Sequence, residues 1–453
     1  MSDIIAAIST APVPSGVGVI RLSGWGSAAL ADEIIKPVYG NHLRDAQSRK
    51  MILCDLYDRQ GRVIDRILAV HTPGPHSYTG EDTVELQCHG SPAVLTETMA
   101  NLIAHGARQA GPGEFTKRAF LNGNMDLTAA EAVIDLIEAE TAEAAANAAG
   151  QVGGALLRKL EPVYETLISI MSHFHAVLDY PDEDIDEFSL RDYADTLQGE
   201  KQVLEALLAT AQRGNVVKNG VKAVILGRPN AGKSSLLNAL AGYERAIVTD
   251  IPGTTRDTVE EKIRLGNLIL RLHDTAGIRE TEDVVEKLGV ERSIDAAKDA
   301  DLALVVIDGS SALTEEDERA LEAAKAAKHA IVILSKSDLA SVLTEESFVG
   351  YQVLSLSAKT GQGIEALAPL VEKLFDSGVP ADGTLLTNLR HTTAISAARD
   401  AIHRAQQSME WGETPDAVLL DVEEALEHIG DVTGKSMRED ITNDIFSRLC
   451  VGK

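Results

Sequence analysis

One stretch, Lys222-Ala-Val-Ile-Leu-Gly-Arg-Pro-Asn-Ala-Gly-Lys-Ser-Ser235, constrains the fold more than any other part of the chain. Its apolar run, Ala223 to Leu226, reads as a buried parallel strand. Gly227-x4-Gly232-Lys233-Ser234 then matches the phosphate-cradling loop in full. Glycines let the backbone turn tightly and aim its N–H groups at phosphate oxygens. Lys233 supplies a point charge for the β- and γ-phosphates, and the Ser234 hydroxyl is a Mg²⁺ ligand by type. Ser234 to Ala241 continues as a helix, so phosphates would sit at its positive end. A Gly-rich turn matching by chance would not bring strand, loop and helix in this order. The candidate phosphate contacts are Asn230, Ala231, Gly232, Lys233, Ser234 and Ser235.

A chain of 453 residues is too long for one core and implies two to four domains. Aromatic residues are few, at 4%, and alanine is abundant, which favours helix. The net charge of −27 argues against a free-standing nucleic-acid binder, because phosphate contacts need clustered Lys and Arg. A nucleic-acid substrate would need a basic patch or a basic partner. Cys54, Cys88 and Cys450 form no disulfide or metal-ligand pattern, which suits a reducing cytoplasm. Met1-Ser-Asp-Ile-Ile5 lacks a signal peptide's basic start. No run of about 18 apolar residues is present, so no membrane contact is expected.

Residues 1–120 read as a compact α/β domain. Strands are expected at Gly18–Leu22, Met51–Leu56, Asp65–Val70 and Thr83–Cys88, with a helix over Ser91–His105. The turn-rich loop Thr72–Gly80 separates the last two strands. Composition alone assigns this domain no activity. A helical segment, 121–216, follows. Thr128-x-x-Glu131 has capping-box spacing, and further helices are expected over Gly154–Leu178 and Leu190–Arg213. The acidic run Asp179–Glu187 lacks the glycine of a Ca²⁺ loop and reads as a solvated connection. His173 and His175, two apart, do not share a helix face, which argues against zinc. Residues 217–378 alternate strands and helices, the doubly wound pattern. Leu302–Ile307 and Ala330–Leu334 are buried-strand runs, and Ile263–Leu272 reads as a hairpin about Gly266-Asn267. Residues 379–453 are helical again. The simplest architecture inserts the α/β domain of 217–378 into a helical domain.

Four further elements name the base. Asp274-Thr275-Ala276-Gly277 follows the hairpin; Asp274 suits water-mediated Mg²⁺ binding and the Gly277 N–H suits the γ-phosphate. Gly253-Thr-Thr-Arg-Asp257 lies where a mobile loop would close over Mg²⁺. In Ser335-Lys336-Ser-Asp338, the aspartate can accept two hydrogen bonds from a guanine edge, and the Lys336 stem can cover the base. Ser357-Ala358-Lys359 can offer a backbone N–H to the guanine oxygen. Each is weak alone; together, in this order on strand ends, they resemble a Ras-like GTPase of the translation-factor type. Two departures stand out. Position 335 is Ser where such enzymes have Asn, and a hydroxyl cannot replace both hydrogen bonds of a carboxamide. Ile278 follows Gly277, where Ras-type enzymes have a water-orienting Gln. Glu286, on the charged stretch that follows, is the candidate for that task; the competing reading is an ordinary exposed helix charge.

The whole chain also resembles the MnmE family of tRNA wobble-uridine modification GTPases. The resemblance rests on Asn230 in the phosphate loop, the Gly253–Asp257 loop and the terminal Cys450-Val-Gly-Lys453. It also rests on Gly16–Arg21, Tyr78–Gln87 and Gly111–Asn122. The resemblance implies an N-terminal folate-binding, dimer-forming domain, a helical domain and an inserted G domain. It implies GTP contacts that extend through Thr249, Asp250, Ile251, Pro252, Gly253, Thr254 and Thr255. It implies K⁺ held by Asn230, Thr249, Ile251 and Thr254, and Mg²⁺ held by Ser234 and Thr255. A 5-formyl- or methylene-tetrahydrofolate would be held by Arg21, Glu85, Asn124 and Lys453, although position 124 is commonly Lys in the family. The implied partners are a second copy, tRNA and the FAD-binding protein MnmG, with a heterotetramer expected. The resemblance implies that together they would add an aminomethyl-type group, or its carboxymethylaminomethyl form, at carbon 5 of the wobble uridine. A tRNA-binding partner accommodates the −27 charge.

Cys450, four from the end, fits a prenylation box poorly because Gly452 and Lys453 follow it. It is a candidate catalytic thiol, against a structural or positional role. A regulatory switch of the ribosome-assembly kind is the alternative function. Such a switch has no use for a folate-like site or a Cys-x-Gly-Lys tail. If Asp338 alone preserves guanine specificity, ATP will fail to displace GTP at comparable concentration in a competition assay; equal displacement would remove the guanine reading.

Overall fold

The computed structural model describes residues 3–179, 190–243, 261–272, 295–376, 378–435, 445–446 and 452. The chain divides into two compact units. One comprises Met1–Ile137, Ala149–Lys201 and Ala394–Lys453; the other comprises Glu138–Ala148 and Gln202–Thr393.

The first unit opens with a seven-stranded sheet. Its strands are β1 (Ile5–Ile8), β2 (Ser15–Ser23), β3 (Ile35–Pro37), β4 (Ile52–Tyr57), β5 (Val63–Thr72), β6 (Thr83–Gly90) and β7 (Arg108–Gln109). The order is β3-β4-β5-β6-β2-β1-β7, antiparallel except that β1 and β7 run parallel. The helices here are α1 (Ser27–Ala31), α2 (Pro92–Ala104) and α3 (Glu114–Leu121). Ile20, Leu22, Cys54, Leu56, Ile67, Ala69, Val84 and Leu86 alternate inward along their strands and form the core with Leu95 and Leu102 of α2. Strands β2, β4, β5, β6 and helix α2 lie where the patterning predicts them. The short strands β1, β3 and β7 carry too few residues for a period to register.

Helices α4 (Leu127–Glu138), α5 (Ala142–Val152), α6 (Ala155–Asp179), α7 (Leu190–Leu208) and α8 (Ala211–Asn219) follow. In α6, Leu156, Leu160, Val163, Leu167, Ile170 and Phe174 recur every three or four residues and are buried. Two expectations are corrected. The cap of α4 is Asp126, not Thr128: Asp126 Oδ1 accepts from the N–H groups of Thr128 (2.8 Å) and Ala129 (3.1 Å). The Thr128 hydroxyl itself donates to Asp126. The helix expected over Leu190–Arg213 is two helices, α7 and α8. They part at Thr210, a buried residue whose hydroxyl donates to Leu207 O (2.7 Å) and accepts from the Leu386 N–H (3.0 Å). A hydroxyl committed to a distant segment is not visible to local periodicity. The run Asp179–Glu187 lies, beyond Asp179, outside the described residues.

The second unit is built on a six-stranded sheet. Its elements in chain order are β8 (Val221–Leu226), α9 (Lys233–Tyr243), β9 (Glu261–Leu265) and β10 (Leu268–Leu272). Then come β11 (Leu302–Asp308), α10 (Glu315–Ala324), β12 (His329–Ser335), β13 (Gln352–Ser355) and α11 (Leu367–Phe375). The sheet order is β13-β12-β11-β8-β10-β9. All pairings are parallel except the β9–β10 hairpin, which turns at Gly266 with φ 62°. Every residue of β11 is buried, as a central strand covered on both faces requires. The chain then continues in α12 (Leu389–Trp411) and α13 (Pro415–Thr433); α13 packs on α6 within the first unit.

In the second unit, Asn147 joins two segments distant in sequence: its Oδ1 accepts from the N–H groups of Gly383 (3.0 Å) and Leu385 (3.4 Å). Gly214 of α8 lies beneath the same segment, and a Cβ there would stand 2.1 Å from Leu386 O. Alanine in place of glycine inside a helix ordinarily stabilises by about 1 kcal/mol. Forcing a backbone carbonyl aside costs about 1–3 kcal/mol, so steric cost should win. Gly214→Ala is therefore expected to lower the midpoint of chemical denaturation, and a raised midpoint would refute the close approach.

Candidate functional site

The four loops that follow β8, β11, β12 and β13 all leave from the carboxyl ends of parallel strands. This is where ligands bind in doubly wound sheets. The phosphate loop begins at Gly227, whose φ of 143° and approach to Val306 O (a Cβ would lie 2.3 Å away) exclude any side chain. Asn230 adopts the left-handed region at φ 61°, which asparagine tolerates better than most residues. Lys233 opens α9 and folds back into the loop, where its Nζ donates to Gly227 O (2.6 Å) and Arg228 O (2.8 Å). Burial pushes its ammonium below the ordinary lysine range. A partly desolvated cation encircled by backbone is suited to polyphosphate, whose charge it meets with little water between. Ser234 and Ser235 stand exposed on the first turn of α9, beside Lys233.

The loop expected to read the base starts at Ser335, the last residue of β12 and a buried one. Its Oγ lies 2.5 Å from Ala231 O and 3.1 Å from Ile307 O. The hydroxyl that stands where related GTPases have Asn thus ties the base loop to the phosphate loop. Lys336 takes φ 61°, a left-handed conformation that costs a lysine about 1–2 kcal/mol. Its Nζ donates to Asp308 Oδ2 at 2.6 Å. Asp338 Oδ1 accepts from Ser357 Oγ at 2.7 Å. That bond holds the Asp338 carboxyl below its ordinary range, leaving it an anion that can only accept. The Ser357 N–H is committed to Gln362 O (2.9 Å), so a backbone donor for a guanine oxygen has to come from Ala358 or Lys359.

Asn230 to Ser235, Ser335, Lys336, Asp338 and Ser357 to Lys359 therefore share one edge of one sheet. Thr249, Asp250, Ile251, Pro252, Gly253, Thr254, Thr255, Asp274, Thr275, Ala276, Gly277 and Glu286 lie outside the described residues. Among the described residues no cluster of His, Cys, Asp and Glu could hold a metal. The set expected here differs in kind from such a cluster: the Ser234 hydroxyl would act on Mg²⁺ beside phosphate oxygens, which is how Mg²⁺ is commonly held, and the Asn230 amide on K⁺.

Local reading missed Arg228, Asp308, Ser311 and Asp317. Arg228, inside the phosphate loop, donates to Ser311 Oγ (2.7 Å) and pairs with Asp317 (3.4 Å) at the start of α10. A charged residue ending an otherwise apolar strand, Asp308, was the available signal.

In the first unit, Arg21 and Glu85 are cross-strand partners on β2 and β6, joined from Nη2 to Oε1 at 2.8 Å. The Arg21 guanidinium lies 5.6 Å from the Tyr78 ring centre and 5.9 Å from that of Phe115. Asn124 Nδ2 donates to Ser77 O at 2.7 Å and so holds the loop that carries Tyr78. Arg21 and Asn124 thus each approach the Ser77–Tyr78 segment, and Glu85 is tied to it through Arg21. Arginine, carboxylate and aromatic faces suit a flat, hydrogen-bonding ring with acidic groups. Lys453 and Cys450 lie outside the described residues; Gly452 O accepts from Ser9 Oγ at 3.2 Å. Cys54 and Cys88 are buried, which pushes their thiols up to about 11 and about 12 and leaves them un-nucleophilic at neutral pH.

A family model for the GTP-binding protein TrmE N-terminus matches residues 4–124, and one for the MnmE helical domain matches residues 127–450. The tRNA modification GTPase MnmE of Heliobacterium modesticaldum is 41% identical over the full length of both chains. That of Roseiflexus sp. is 42% identical over 100% of this chain and 99% of its own, and that of Clostridioides difficile 39% over the whole of both. An N-terminal domain, a helical domain and a G domain carrying the phosphate loop are accordingly present, and no helix among the described residues is long and apolar enough to cross a membrane. The chain belongs to the MnmE family of tRNA modification GTPases, and is a GTP hydrolase acting in tRNA modification.

Proposed function

We propose that this GTPase, as a cytoplasmic homodimer working with the FAD-binding protein MnmG, adds an aminomethyl or carboxymethylaminomethyl group at carbon 5 of the tRNA wobble uridine. One observation carries the reading: a GTP-type loop cluster and the Arg21–Glu85–Tyr78 grouping stand in one chain that aligns end to end with tRNA modification GTPases. The division of labour follows the sequence boundaries. Residues 1–120 bind folate and form the dimer, 121–216 and 379–453 form the helical domain, and 217–378 hydrolyse GTP.

In the G domain, Lys233 and the first turn of α9 receive the phosphates, while Ser335 to Asp338 and Ser357 to Lys359 read guanine. Ser234 and Thr255 would hold Mg²⁺; Asn230, Thr249, Ile251 and Thr254 would hold K⁺. Cations held there would offset charge that develops on the phosphates during hydrolysis. Glu286 would orient water in place of the missing Gln. At the folate site, Arg21 meets acidic groups, Glu85 accepts from the ring, Asn124 fixes the Ser77–Tyr78 loop, and Lys453 adds a second cation. A tetrahydrofolate held by these residues would supply the one-carbon unit. Cys450 is retained as a candidate thiol near that site. The −27 charge leaves most tRNA contact to the partner.

Deleting the gene should abolish 5-substituted wobble uridines in tRNA hydrolysates read by nucleoside mass spectrometry. Unchanged nucleosides would overturn the modification reading and favour a ribosome-assembly switch. Purified protein should hydrolyse GTP faster in potassium than in sodium chloride at equal ionic strength, and equal rates would remove K⁺ from the mechanism.

A further inference from the structure

Asp308 ends β11, between the phosphate loop and the base-reading loop. Only 10% of its side chain is exposed. Its two oxygens serve different loops. Oδ1 accepts from the Ser310 N–H (3.0 Å) and hydroxyl (2.6 Å), closing a turn at 308–311. That turn presents Ser311, whose Oγ accepts from Arg228 Nη2 of the phosphate loop at 2.7 Å. Oδ2 accepts from Lys336 Nζ of the base loop at 2.6 Å and lies 4.0 Å from Arg228 Nη2. The backbone of the same turn bonds the base loop on both sides: Gly309 N–H donates to Ser335 O (3.1 Å), and Gly309 O accepts from Val342 N–H (2.8 Å). Burial pushes the Asp308 carboxyl up, but the bonds from Lys336 and Ser310 outweigh it, so the group is held below its ordinary value and stays charged.

We propose that Asp308 is a positioning residue for guanine recognition: one carboxylate holds Lys336 directly and Arg228 through the 308–311 turn, so that the base-reading loop and the phosphate loop keep a fixed spacing. The proposal rests on the reading that Asp338 and Lys336 contact guanine. Asp308 touches neither base nor phosphate. It acts on a lysine whose left-handed backbone has to be held from outside, and its loss would let the Lys336 stem and the neighbouring Asp338 drift relative to Lys233.

The test compares binding of GDP and IDP by titration calorimetry, because IDP lacks the exocyclic amino group that a fixed Asp338 would read. Asp308→Asn keeps the shape and removes the charge. It should weaken GDP about tenfold, the scale of one charge-assisted hydrogen bond, while weakening IDP less, so that the GDP/IDP preference narrows. The thermal midpoint should fall somewhat, because Lys336 loses its partner, so the deciding readout is the GDP/IDP ratio and not stability. Equal weakening of GDP and IDP would make Asp308 merely structural, and unchanged affinities would also overturn the proposal. If Asp308→Asn does not fold, Lys336→Gln, which keeps the stem and removes the ammonium, should narrow the preference alike; an unaltered preference there would overturn the proposal. If both fold, the two effects should be less than additive in the double variant. Asp338→Asn separates the levels. If it leaves the GDP/IDP preference intact, the guanine reading fails and takes this proposal with it; if it alters the preference and Asp308→Asn does not, only the present proposal fails.

Discussion

The nucleotide site depends on the parallel alignment of β8, β11, β12 and β13, which brings four strand ends to one edge of a sheet. Parallel strands need crossovers, and each crossover begins with a loop at that edge. The close approach of Gly227 to Val306 O shows how tightly the first loop is set against β11. With no room for a Cβ, the backbone turns at once and delivers Lys233 to the carbonyls of Gly227 and Arg228. The ammonium is thereby poised within the loop, and its burial lowers its affinity for its own proton.

Charge does much of the positioning around this frame. Asp317, Arg228, Asp308 and Lys336 alternate in sign from the start of α10 across the phosphate loop and the end of β11 to the loop after β12. Buried ion pairs add little net stability, because desolvation offsets most of the attraction, yet breaking one leaves a charge unmet. Such groups therefore specify geometry more than they strengthen the fold. A parallel case occurs in the first unit, where Arg118 pairs with Glu81, Glu114 and Asp3. Glu81 in turn accepts from Ser23 Oγ at 2.9 Å, and this holds the end of the Thr72–Gly80 loop against β2, near Arg21.

Much of this was legible beforehand. Buried parallel strands announce themselves as apolar runs, and the long amphipathic α6 as a period of three to four. The phosphate loop could be read because glycine spacing, lysine and hydroxyl are all local. What escaped was either short or distant. Strands β1, β3 and β7 are too brief to show alternation. The division between α7 and α8 turns on the Thr210 bond to Leu386, 176 residues away. The Asp126 cap has no Glu or Gln three residues on, whereas Thr128 has Glu131, so the pattern favours Thr128 and only the backbone geometry selects Asp126.

By itself, then, the sequence determined the α/β and helical classes, the strand–loop–helix unit of the phosphate loop with Lys233, and the family. Each of these is encoded by neighbouring residues whose spacing matches a backbone period or a turn. Only the tertiary structure decided that Ser335 anchors to Ala231, that Ser357 orients Asp338, that Arg21 and Glu85 meet beneath Tyr78, and that Asp308 joins two loops. The physical reason is common to all four. Hydrogen bonds and ion pairs act over about 3–4 Å in space, and separations of 19 to 104 residues along the chain leave no periodic trace of them.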